Sequence, residues 1–175
     1  MDRSLVLRIG LCVLSGIGVG ALQQNDLIFD FATGEIWYYL AAGLVFAAGV
    51  LFPYLPGSPK IAARGLALVL ASTASYYSAV WLALSGPFGE DVIGFTIASV
   101  VGAAIVLAAL VSVTSVRPSR EILIAGLIAG LIGGPITFNT LPTEGLIVWL
   151  GHTVWHLLIC LTIWYGTREK TGVIE

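Results

Sequence analysis

The stretch VIGFTIASVVGAAIVLAALVSVTSV, residues 92–116, runs for 25 residues without a charged side chain. A helix that crosses the hydrocarbon core of a bilayer, about 30 Å thick, needs about 20 such residues. Five other stretches meet or approach that length, at residues 4–22, 35–55, 61–85, 120–141 and 145–166. Charged or turn-forming residues separate them. The sequence therefore predicts an all-α membrane protein, with six spanning helices forming a single domain over residues 1–175.

The composition supports a membrane protein and excludes other classes. Hydrophobic residues make up 58% of the chain and charged residues 10%, whereas a soluble domain carries about 25% charged residues. The mean hydropathy is +0.97, so lipid is the expected neighbour of most of the surface. A net charge of −2 without a basic run argues against nucleic acid as a partner. Cys12 and Cys160 lie inside apolar segments, which argues against a secreted disulfide framework.

The charges predict an orientation for the six spans. All eight lysines and arginines fall on one side, and the opposite loops hold only acidic residues: Asp26, Asp30, Glu35, Glu90, Asp91 and Glu144. The positive-inside rule then places both termini on the cytoplasmic side, and the expected membrane is a bacterial-type inner membrane. The N-terminal segment also resembles a signal peptide that could be cleaved after Gly20-Ala21. The charge distribution favours a retained first span.

The fifth span carries a stripe of small residues. AGLIAGLIGG, residues 125–134, places Gly126, Gly130 and Gly134 on one helical face. Such a face allows close helix packing, within the chain or against a second copy or partner subunit. The alternative is a groove for a lipid tail or solute. Pro135 follows and predicts a kink.

Spans two and five resemble each other. AAGLVFAAGVLFP, residues 41–53, and IAGLIAGLIGGP, residues 124–135, are both rich in alanine and glycine and both end on proline. Three spans followed by three of opposite topology are a transporter arrangement. This similarity suggests a 3+3 inverted repeat.

The last span contains the two histidines of the chain. In GHTVWHLLIC, residues 151–160, His152 and His156 are four residues apart and share a helical face. A neutral histidine inside a membrane needs buried polar partners. The third span offers them in ASTASYYSAVW, residues 71–81, at comparable depth. We therefore expect spans three and six to face each other or a shared cavity. The candidate ligand-binding residues are His152, His156, Ser72, Ser75, Tyr76, Trp149 and, at the outer end of span five, Asn139.

The same spacing also suits a metal. Two histidines one helical turn apart can bind one ion such as zinc. A third ligand would have to come from the outer acidic residues, or Cys160 could pair with His156 instead. The pair could also form structural hydrogen bonds, contact a ligand, bind a tetrapyrrole axially or handle a proton.

HTVWHLL, residues 152–158, resembles the last-helix motif of the alkaline ceramidase, adiponectin-receptor and hemolysin-III superfamily, a HxxxH pair with an aromatic residue just before the second histidine. The resemblance implies a seven-helix bundle that hydrolyses lipid amides, with zinc bound by His152 and His156. The family's third histidine lies on an early helix, four residues after a serine. In this chain Tyr76 lies four residues after Ser72.

Three functions follow as hypotheses. The leading one is binding of a lipid, pigment or small solute in a polar pocket between spans three and six, or service as an accessory subunit of a membrane complex. The second is a small-solute transporter built on the inverted repeat. The third is a zinc-dependent membrane lipid hydrolase.

Overall fold

The computed structural model describes residues 3–24, 36–84, 87, 91–114, 116–117, 119–140 and 146–168. These residues form six helices, with no strand among them: α1 (Arg3–Gln24), α2 (Ile36–Phe46), α3 (Ile61–Leu84), α4 (Val92–Val113), α5 (Arg120–Thr140) and α6 (Leu146–Arg168). The predicted all-α class is confirmed for this part of the chain. Apart from α2, which ends at Phe46 within the predicted span 35–55, the helix ends lie within a few residues of the predicted spans.

Five helices are long and apolar enough to cross a membrane, when α2 and the turns after it are counted as one segment, Ile36–Tyr54. No more than half of any of these five segments is buried inside the protein. Large apolar side chains such as Leu7, Leu14 and Leu123 lie exposed on their outer faces. A surface of this kind is suited to lipid rather than water.

The second span changes its helical form before Pro53. A π-helical turn, Ala47–Leu51, follows α2, and a short 3-10 turn, Phe52–Tyr54, follows that. Proline has no N–H, so Pro53 leaves the carbonyl of Gly49 without its usual helical donor. The Cys12 thiol of α1 lies 3.9 Å from that carbonyl oxygen and donates to it.

Local polar groups define the start of two helices. The Asp91 carboxylate accepts hydrogen bonds from the backbone N–H groups of Ile93 and Gly94 at 2.8 and 2.9 Å, an N-cap for α4. The Ser119 hydroxyl accepts from the N–H of Ile122 at 3.3 Å at the start of α5.

The helices pack in chain order around a ring, which α6 closes by packing against α1. Neighbours run antiparallel at three seams where glycine contacts define the direction, α1–α6, α4–α5 and α5–α6. Gly16 and Gly20 of α1 face Thr153 and then Trp149 of α6, and Gly126 and Gly130 of α5 face Leu107 and then Val100 of α4. The ring therefore has two ends. We define the basic end as the one with Arg8, Lys60, Arg64, Arg117 and Arg120.

The glycine face of α5 is covered within the chain. Gly126, Gly130 and Gly134 are buried against α4. A Cβ added to Gly130 would lie 2.7 Å from the Cα of Val100, so these helices touch through their backbones. Of the alternatives for this face, the structure shows packing within the chain. Binding of a second copy or a partner subunit stays a prediction.

Pro135 does not end α5, which continues to Thr140. The two prolines of the suggested repeat therefore differ in effect, since a π-helical turn precedes Pro53 whereas Pro135 lies within a continuing α-helix.

Candidate functional site

The seam between α1 and α6 is one of the closest in the bundle. A Cβ added to Gly20 would lie 2.8 Å from the Cα of Trp149, and one added to Gly16 would overlap the backbone of Thr153. Small residues at helix interfaces allow such an approach in membranes. The close approach brings Ser15, beside Gly16, against His156.

His156 is fully buried and both of its ring nitrogens have partners. Nδ1 lies 2.8 Å from the Ser15 hydroxyl oxygen of α1, and Nε2 lies 2.7 Å from the Tyr76 hydroxyl oxygen of α3. The Ser15 hydroxyl also lies 3.0 Å from the backbone carbonyl oxygen of Cys12. One side chain of α6 thus joins two helices, one of which, α3, is not its neighbour in the ring.

Aromatic rings hold His156 in place. The Phe46 ring packs edge-on against it, with centroids 4.7 Å apart. Phe46 also contacts Tyr76 and Trp155, each at 6.1 Å. We call His156 and the rings of Phe46, Tyr76 and Trp155 the His156 cluster. Phe46 is the last α-helical residue before the π-helical turn, so the backbone change in the second span occurs next to this cluster.

A cavity of about 80 Å³ lies beside the His156 cluster, toward the end of the bundle opposite the basic end. Its apolar wall includes side chains of α3, α4 and α6, among them Ala79, Ala83, Phe95 and Trp155. None of the described lining residues is charged. The polar lining residues are Gln23, Tyr38, Tyr76, Ser99, Thr137 and His152.

The two histidines have different surroundings. His152 lines the cavity, and its Nε2 is hydrogen-bonded to the side-chain oxygen of Gln23. His156 is not among the described lining residues, but its Nε2 contacts the hydroxyl group of Tyr76, which does line the cavity. The Tyr76 and His152 ring centroids are 6.4 Å apart. Among the described residues, the two histidines on this shared helical face therefore have different hydrogen-bond partners.

The structure brings three of the seven predicted ligand-binding residues together: His152, His156 and Tyr76. The other four lie elsewhere. The Ser72 hydroxyl donates to the Leu68 carbonyl at 2.8 Å, and the Ser75 hydroxyl donates to the Gly102 carbonyl at 3.0 Å, tying α3 to α4.

The remaining two predicted residues also lie away from the cavity. Trp149 packs on Gly20 at the α1–α6 seam. Asn139 is exposed, and its amide donates to the Pro135 carbonyl of its own helix at 2.6 Å. A hydrogen bond from a polar side chain to the backbone of its own helix, like that of Asn139, is common in membrane helices.

Sequence reasoning missed several polar residues of the network and cavity. Ser15 is the one hydroxyl between Arg8 and Gln23 in an apolar span, and the sequence gave no sign of its partner. Gln23 falls just beyond the predicted end of the first span, whereas α1 extends to Gln24. Thr137 is visible as a polar residue after Pro135, but its direction toward the cavity depends on α5 remaining helical.

The described side chains alone do not complete a zinc site. Both nitrogens of His156 are engaged, and no group of three histidine, cysteine, aspartate or glutamate side chains in the described ranges could hold one ion. Cys160 is buried and free. Asp91 caps α4. The other acidic candidates, Asp26, Asp30, Glu35, Glu90 and Glu144, lie outside the described residues.

The position of Tyr76 bears on the family resemblance. The superfamily motif has its third histidine four residues after a serine, and Tyr76 is the residue at that spacing from Ser72. Its hydroxyl contacts His156 directly. In this chain a hydrogen-bonding phenol thus stands where the resemblance calls for a third imidazole ligand.

Comparison of the chain with protein-family models, curated proteins and solved structures gives no match in any of the three.

Proposed function

We propose that this chain is a six-span protein of a bacterial-type inner membrane, with both termini in the cytoplasm, that binds a small uncharged solute in the cavity beside Tyr76 and His152. The observation that carries the proposal is a cavity with polar groups on its wall inside an otherwise apolar bundle.

The sixth crossing rests on the packing of α6. This helix has 23 residues and packs against α1 and α5, both of which qualify as spans. Its direction is opposite to that of α1. With α6 across the membrane, both termini are on the side of the basic end, which the positive-inside rule assigns to the cytoplasm.

Reporter fusions test this topology. We expect a green fluorescent protein fused after Glu175 to fluoresce, because it stays in the cytoplasm. Alkaline phosphatase fused after Leu84, the last residue of α3, is expected to be active, because that end faces the periplasm. The reverse fusions, with the reporters exchanged, provide the control. Phosphatase activity at Glu175 would contradict the six-span arrangement.

The size of the cavity limits its ligand. A cavity of about 150 Å³ binds one benzene molecule, and the volume of about 80 Å³ here is roughly half of that. A solute of about four heavy atoms fills a similar space, whereas a lipid or a pigment is much larger. The cavity thus supports the small-solute form of the binding hypothesis.

The lining also selects against charge. A buried ion is stable only with an opposite charge or several strong hydrogen bonds. The described lining residues provide amide, hydroxyl and imidazole groups and no charged side chain. An uncharged molecule with an apolar portion matches these walls.

Ligand-observed NMR tests the binding. With the protein in lipid nanodiscs, saturation-transfer titrations of acetamide, acetone and acetate cover three solutes of nearly equal shape. We expect saturable binding of at least one uncharged solute and none of acetate. The variant Ala83→Leu fills the cavity from its α3 wall and is expected to abolish binding.

The matched control is Ala74→Leu, at an exposed position of the same helix, which is expected to leave binding unchanged. Equal binding by the wild type and Ala83→Leu would contradict the proposal, because the solute would then occupy lipid or another surface.

A further inference from the structure

The direction of the hydrogen bonds around His156 bears on what the cavity recognises. From these contacts we infer that the cavity selects solutes that donate hydrogen bonds, such as the N–H group of a primary amide or the O–H group of an alcohol. This inference rests on the proposed binding function and specifies its ligand class.

Ser15 is the starting point, because a serine hydroxyl has a single proton to donate. The Ser15 hydroxyl donates to the Cys12 carbonyl oxygen at 3.0 Å. At the 2.8 Å contact with His156, Ser15 can then only accept, so Nδ1 of His156 carries a proton and donates to it.

The other nitrogen of His156 follows from its burial. His156 has no exposed surface, and its close neighbours Ser15, Tyr76 and Phe46 are uncharged. A buried imidazolium without a carboxylate partner is very costly, so the ring is neutral. Its Nε2 therefore has a lone pair and accepts the Tyr76 hydroxyl proton at 2.7 Å.

Tyr76 is thereby left as an acceptor. A phenol has one proton, and that of Tyr76 is used in the bond to His156. Because Tyr76 also lines the cavity, its oxygen has only lone pairs to offer a solute. The relay from Cys12 through Ser15 and His156 fixes the chemical character of a group at the cavity wall.

Two other lining residues have the same character. The one proton of the Thr137 hydroxyl is donated to the carbonyl oxygen of Gly133 or Gly134, both of which lie at 2.9 Å. His152 donates from Nε2 to the Gln23 side-chain oxygen, which leaves Nδ1 with a lone pair. The Gln23 amide N–H group adds donors. A primary amide, with N–H donors and one carbonyl, complements this set.

The test compares acetamide with acetone, which has the same number of heavy atoms but no N–H group. In saturation-transfer titrations of the nanodisc-embedded protein, we expect acetamide to bind about tenfold more tightly than acetone. In Tyr76→Phe the preference is expected to fall to about threefold or less. Tyr77→Phe is the matched control, since Tyr77 is exposed on the same helix, and is expected to keep the wild-type preference.

The possible results distinguish a failure of the donor selectivity from a failure of the proposed binding function. Equal binding of the two solutes by the wild type, or an unchanged preference in Tyr76→Phe, would overturn the donor selectivity while leaving a binding cavity. Binding of neither solute by the wild type would overturn the proposed function and, with it, the inference.

A second measurement requires neither ligand nor a folded variant. Nitrogen-15 NMR of the wild-type protein labelled at histidine distinguishes the two neutral tautomers. We expect His156 to carry its proton on Nδ1. A proton on Nε2 would reverse the relay, make Tyr76 a donor toward the cavity and overturn the inference.

Discussion

Replacement of His156 by alanine is expected to lower the free energy of unfolding by about 3 kcal/mol or more. The change empties the space of a fully buried ring that packs against Phe46. It also leaves the Tyr76 hydroxyl without its acceptor and removes the donor to Ser15. Reversible unfolding in detergent micelles, followed by circular dichroism, measures the loss.

His152→Ala is the matched control, one helical turn away. His152 borders an existing cavity and its one described hydrogen bond is to Gln23. Its loss is expected to cost about 1 kcal/mol, close to the value of a single side-chain hydrogen bond inside a membrane, while solute binding weakens. Equal destabilisation by the two variants would contradict the division between a structural histidine and a cavity histidine.

A second large effect is expected at Gly130. Gly130→Ala would place a methyl group 2.7 Å from the Cα of Val100, a contact with backbone that no side-chain rotation can relieve. Helices α4 and α5 would have to move apart. We expect a loss of about 2–3 kcal/mol, typical of overpacking a tight core, in the same unfolding experiment.

The neighbouring Gly133 provides the control on the same helix. A Cβ there would lie 3.7 Å from the Ser99 hydroxyl oxygen, an ordinary contact. Because alanine favours helix over glycine by about 1 kcal/mol, Gly133→Ala is expected to be neutral or slightly stabilising. A Gly130→Ala variant of unchanged stability but altered oligomeric state would instead place this glycine face between subunits.

Much of the fold follows from span length and charge alone. Uncharged stretches near 20 residues leave little choice but a helix, because lipid offers no partner to backbone polar groups. The π-helical turn at Ala47–Leu51 is a different matter. It combines Pro53 with the close packing of Gly49 on Ser15 of α1, and the sequence does not show that contact.

The glycine face shows a similar limit. The spacing of Gly126, Gly130 and Gly134 indicates close packing, but the same spacing serves a neighbouring helix or a second copy. Only the position of α4 shows which surface is covered.

The candidate site was partly visible in the sequence. Tyr76 and the two histidines lie at similar depths along their spans, which predicted that they would meet. A polar group in the middle of a membrane needs a partner at the same depth. The roles of Ser72, Ser75 and Asn139 could not be assigned this way. Each hydroxyl or amide instead finds a backbone carbonyl, and helical periodicity does not say whether a polar side chain faces a cavity or a backbone.

The central claim is that His152 and His156 have separate roles, and nitrogen-15 NMR of the histidine side chains during a Zn²⁺ titration tests it most directly. The chain has only these two histidines, so single variants assign every signal. We predict neutral rings of opposite tautomer, His156 protonated on Nδ1 and His152 on Nε2, unchanged by one equivalent of Zn²⁺. If the nitrogen-15 signals of both rings shift to a metal-bound pattern at that ratio, the account is contradicted and zinc binding by the histidine pair is supported.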